Sequence, residues 1–201
     1  MTTRKRRKRR VCAAPFASRA QSRESGDGGL VETALVGELA DAEAEVCEKL
    51  LDVEPGGEAV LYIDSPGGSP YGGLAVMSLI RLRGLRVTGV ILGECSSAAL
   101  WPFAACTTRI VTPLSTLLFH RPKWQSDDNV GPVEASEWAK HFRLLEKDMD
   151  NELAAMFGLP PKLIIEWSQR GCYLTGSELA ETGAAELRPF EQLKELLDGK
   201  K

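Results

Sequence analysis

The chain has 201 residues, 43% of them hydrophobic and 26% charged. That mix suits one ordinary globular domain with a core large enough to hold a preorganised site. No apolar run reaches the roughly 18 residues a membrane span needs, and the N-terminus lacks the apolar stretch of a secretory signal.

The net charge of −3 hides an asymmetry. The first 23 residues hold nine of the 25 Lys and Arg and no acidic residue, so the remainder carries about −12. Residues 1–28 are expected to be a basic disordered tail ahead of a domain over 29–201. The tail loosely fits an organelle transit peptide. With no aromatic residue inside the run Arg4–Arg10, it argues against a nucleic-acid arm. The five cysteines form no CxxC pair, so neither a zinc site nor any other metal or cofactor is expected. Cys95, Cys106 and Cys172 lie in apolar stretches and read as buried free thiols, which favours a reducing, cytoplasmic compartment.

In chain order, Leu30–Leu39 alternates as a strand. Asp41 opens a helical pattern, with Ala44, Cys47, Leu50 and Leu51 as its apolar side, closed by Pro55-Gly56-Gly57. Ala59–Asp64 is a short apolar strand, followed by a glycine-rich loop over 65–70 and a helix over Gly72–Leu82. Arg86–Leu92 is a third strand, and the turn 93–97 leads into an apolar helix from Ala98 to Cys106. Short strands are expected at Arg109–Thr112 and Thr116–His120. A polar loop then runs to Pro132, followed by helices over Val133–Phe157, Pro161–Gln169 and Phe190–Leu197. Alternating strands and helices predict an α/β domain with crossover connections. Function in such sheets sits beyond the carboxyl ends of strands, which singles out two loops here.

The loop SPGGSPYGG matches neither GxGxxG nor a P-loop, which argues against a nucleotide. Its paired glycines can form a tight turn or present backbone N–H groups to an oxyanion. In the second loop, Ser96 and Ser97 precede an apolar helix. Either can be an N-cap, and either can hold an Oγ where the helix terminus favours negative charge. Of the two histidines, His141 lies among charged residues, whereas His120 ends the apolar run STLLF. A serine on a crossover loop and a histidine at a strand end together suggest a nucleophile and its base.

The stretches LYIDSPGGSPYGGLAVMSLIR, GVILGECSSAALWPFAAC and RIVTPLSTLLFHRP resemble the Clp protease proteolytic subunit. The likeness runs from about Leu30 to Phe190, in that family's order and spacing. It implies a ClpP/crotonase-like spiral of repeated ββα units with a protruding handle helix, here 133–157. It also implies a homo-oligomeric ring acting on peptides or unfolded polypeptides, supplied by a Clp ATPase or joined by a paralogous subunit. Ser97 then matches the nucleophile, His120 the base, and Gly68 and Ala98 the oxyanion-hole N–H groups. A hydratase or other acyl-CoA enzyme of the wider superfamily is disfavoured by the paired Ser97 and His120.

Four departures stand out. Gly171 occupies the position of the triad acid, which leaves Glu166, Asp127 or Asp128 as substitutes. Without a replacement, the chain is a weak or inactive subunit serving ring assembly. Ala99 stands where the family has glycine, and Pro102 lies in the nucleophile helix, where a kink is expected. The family's axial loops are not recognisable in residues 1–28.

Overall fold

The computed structural model describes residues 30–40, 42–123 and 129–193. The basic segment 1–28, Asp41, Asp127, Asp128 and the end of the helix expected over 190–197 lie outside the described residues.

Strand β1 (Val31–Leu39) leads to helix α1 (Glu43–Leu51), β2 (Glu58–Gly68), α2 (Pro70–Leu82) and β3 (Arg86–Ser96). A one-turn 3-10 helix over Ser97–Ala99 precedes α3 (Leu100–Ala105), β4 (Thr108–Val111) and β5 (Thr116–Phe119). Then come α4 (Pro132–Phe157), α5 (Pro161–Arg170), β6 (Cys172–Thr175), α6 (Gly176–Glu181) and β7 (Glu186–Leu187). The parallel strands run in the order β1-β2-β3-β4-β7. β3 is shared: Thr88–Val90 pair with β4, while Glu94–Ser96 pair in parallel with β5. β6 closes antiparallel on β5. The expected α/β class holds.

The elements bury what their periodicity offers. Leu35, Leu39, Leu61, Ile63, Val87 and Ile91 point from the sheet into one continuous core with Val46, Leu50, Val76 and Ile80 of the helices. The opposite sheet face holds a smaller cluster of Val60, Val90 and Ile110. In α1 the buried residues are Val46 and Leu50; Leu51 and Ala44 are exposed and Cys47 is half-buried, so the apolar face is rotated from the expected one. Cys95 and Cys106 are buried thiols, as expected, but Cys172 is half-buried at the sheet edge.

Two expected loops are strand. β2 runs through the glycines to Gly68 because the end of β1 pairs with it, Glu38 to Gly67 and Leu39 to Gly68. β3 runs to Ser96 because β5 pairs with its end. Pro102 produces no kink inside a long helix. The chain leaves β3 in 3-10 geometry and becomes α-helical at Leu100, so Pro102 falls in the first turn of α3, where a missing N–H costs little.

Aromatic rings join α3, β5, α4 and α5. Phe157 packs on Phe103 and Phe119 at centroid distances of 6.2 and 6.1 Å, and Phe119 packs on Trp167 at 5.0 Å. The Arg109 guanidinium lies over the Phe157 ring. Phe157→Ala is therefore expected to cost about 3–5 kcal/mol. Urea denaturation should show it as a lower midpoint, and a wild-type midpoint would contradict the hub.

Candidate active site

The site starts from β2. Ser65 is fully buried; its Oγ donates to Gly37 O at 2.6 Å and accepts from Gly67 N at 3.1 Å, pinning the strand's glycine end. Gly67 then lies flush against the turn after β3. A Cβ there would sit 2.6 Å from Ser96 O and 2.7 Å from Ser97 Cβ. Its φ of +95° adds a second reason for glycine. Ser69 caps α2 by accepting from Gly72 N at 3.3 Å.

The two serines are not equivalent. Ser96 is buried, and its Oγ donates to Glu94 Oε1 at 2.6 Å. Ser97 is half-buried with φ +55°, a left-handed conformation uncommon for a residue with a side chain. Neither makes a side-chain cap to the following turn. Ala99 sits at φ −69°, so the position where glycine was expected needs no glycine here.

Ser97 and His120 line one cavity of about 350 Å³, together with Gly68 and Ala98. Its apolar wall includes Leu100, Trp101, Met149 and Leu153. His120 is half-buried directly after Phe119 of the aromatic cluster. His141 is exposed on α4 and lies outside the cavity. Among the described residues, no hydrogen bond joins Ser97 to His120 and no carboxylate bonds to His120.

The β5–β6 register runs from Thr116 opposite Thr175 to Phe119 opposite Cys172. The pairing ends there: His120 follows β5, Gly171 precedes β6, and the next backbone bond runs from Arg121 N to Ser168 O. Gly171 is the left-handed C-cap of α5, at φ +67° and ψ +58°, and its N–H bonds Trp167 O. A Cβ there would meet nothing within 4 Å. Glu166 lies outside the cavity and pairs with Arg170 at 3.2 Å.

The cavity also holds charges that the sequence did not single out. Arg121 Nη1 is 2.8 Å from Asp150 Oδ2 and 3.5 Å from Glu146 Oε2. Arg121 N donates to Ser168 O at 3.1 Å. The signal was present in α4: Glu146, Asp150, Leu153 and Phe157 fall at helical spacing, so two acids share the stripe of two core residues. Burial pushes the Asp150 carboxyl above its ordinary range, against the opposing pull of Arg121.

The profile of the Clp protease family matches residues 32–186, and the chain belongs to that family. It is 30% identical over 155 residues to ATP-dependent Clp protease proteolytic subunit 3 of Rhodococcus jostii, covering 74% of this chain and 76% of that one. It is 28% identical over 155 residues to proteolytic subunit 1 of Bacillus cereus, covering 76% and 75%. It is 28% identical over 136 residues to proteolytic subunit 2 of Chlamydia muridarum, covering 67% and 66%. Among the described residues, no helix is long and apolar enough to cross a membrane.

Asp150 makes a stability prediction. Its folded-state pKa is raised, so the fold favours the protonated form. The stability it contributes is present below its unfolded pKa of about 4 and is lost as pH rises through the folded value. Asn imitates the protonated side chain without titrating. The melting temperature of wild type minus that of Asp150→Asn should therefore fall as the pH is raised above about 4. A flat or rising difference would contradict it.

Proposed function

We propose that this chain is a Clp-type serine endopeptidase in which Ser97 is the nucleophile and His120 its base. The observation that carries the reading is that Ser97, His120, Gly68 and Ala98 line one cavity, whereas Ser96 is buried and bonded to Glu94. Ser97 Oγ attacks the peptide carbonyl while His120 takes its proton. The Gly68 and Ala98 N–H groups receive the oxyanion. His120 then passes the proton to the leaving amine, and water, deprotonated by His120, cleaves the acyl-enzyme at Ser97. No cofactor or metal enters the scheme.

Position 171 sets the rate. A carboxylate there would fix the imidazole tautomer and stabilise the imidazolium; its loss in a serine triad costs about 10⁴ in kcat. The chain is accordingly a slow dyad. The substrates are peptides and unfolded polypeptides, the assembly a homo-oligomeric ring in the cytoplasm, and the partner a Clp ATPase or a paralogous subunit. No membrane or nucleic acid takes part. The domain spans 29–201 behind the basic tail of residues 1–28. Gly171 also supports a second reading, a subunit that serves ring assembly without turnover.

A fluorophosphonate should label the assembled wild-type protein and Ser96→Ala, and fail to label Ser97→Ala. A folded wild-type assembly that takes no label would sink the first reading. Gly171→Asp should raise peptide turnover at least tenfold and up to about 10⁴-fold. The space is open, and aspartate is among the few residues with a side chain that adopt the left-handed backbone, at a cost in strain.

A further inference from the structure

His120 follows directly on β5, which pairs with the end of β3 on one side and with β6 on the other. Gly171, just before β6, has no side chain, and among the described residues no carboxylate bonds the ring. Along the chain, the next residue is held twice. The Arg121 side chain is gripped by Asp150 and Glu146 of α4, at 2.8 and 3.5 Å, and its main-chain N–H bonds Ser168 O of α5 at 3.1 Å.

We propose that Arg121 is a positioning residue: its ion pairs with α4 fix the end of β5 and so place the imidazole of His120, to which no carboxylate bonds among the described residues. The inference rests on the role proposed above for His120. Adjacent Cα atoms are 3.8 Å apart across a trans peptide, so a displacement of residue 121 passes directly to residue 120. A misplacement of about 1 Å at a reacting group can cost about 100-fold in rate.

The energetics of the cluster point the same way. The side chains of Arg121, Glu146 and Asp150 are 29%, 24% and 10% exposed, so all three charges have lost most of their water. Such clusters add little to stability against neutral or apolar replacements. The raised pKa of Asp150 shows burial outweighing the attraction of Arg121. What the cluster supplies is a fixed geometry, through a planar guanidinium whose Nη1 faces both carboxylates.

The test uses the full-length assembly with histidine 13C-labelled at Cε1. The chain has two histidines, and His141→Gln assigns their signals. Arg121→Gln and Asp150→Asn should each broaden or split the His120 signal and leave that of His141 unchanged. Peptide kcat should fall about tenfold or more in each single variant, with KM within about twofold. Arg121→Lys keeps the charge without the two-sided grip. It should give an intermediate line width, and it serves if the neutral variants do not assemble. A wild-type His120 signal in the variants that assemble overturns the proposal. A wild-type chain that neither cleaves peptide nor takes a fluorophosphonate counts against the Ser97–His120 reading alone, because the signal reports the placement of His120 without turnover.

Discussion

The end of β2 and the turn after β3 meet backbone to backbone, and the site is built around that contact. Gly67 lies so close that a Cβ would stand 3.0 Å from Ala98 N as well as against Ser96 and Ser97. Two segments that meet this way cannot shift independently. The left-handed conformation of Ser97 costs of order 1–3 kcal/mol. It persists because Ser96, Ala98 and Ala99 on either side are buried and Ser65 holds the facing strand. Ser97 is left half-exposed at the rim of a cavity while its neighbours are sealed.

The facing wall is held by different forces. His120 stands at the end of a four-residue strand whose last residue, Phe119, is wedged between Phe157 and Trp167. Ring contacts fix the strand below the histidine and ion pairs fix the residue after it. The nucleophile wall thus depends on backbone approach and small residues. The base wall shares the sheet, since β5 pairs with the end of β3, and adds long side chains from α4 and α5.

That division decides what could be read from the sequence. The order of strands and helices was legible because each buried strand is a short apolar run bounded by turn residues, as in AVLYID and RVTGVIL. The pair of loops was legible too. The extents of β2 and β3 were not, because Gly67 and Ser96 are strand only through pairing with Leu39's neighbourhood and with β5, which no local window contains. Pro102 misled for a related reason: a helix start inside an apolar stretch carries no capping residue to mark it. The rotated face of α1 shows the limit of a short helix, where Val46 is buried and Cys47 only half-buried. Asp150 was signalled by its place on the apolar stripe of α4, whereas Arg121 looks like an ordinary surface charge until its partners on α4 are in place.

Gly171 has to do two things at once. It ends α5 in a left-handed turn and leads into β6, which pairs with β5. Glycine meets the first demand without strain. Aspartate also visits that region, its short polar side chain bonding locally, and nothing within 4 Å would oppose its Cβ. An aspartate at 171 would have room but would carry the strain of a left-handed backbone. Among the described residues no carboxylate bonds His120, and in the proposed scheme the orientation of the imidazole passes to the residue next along the chain.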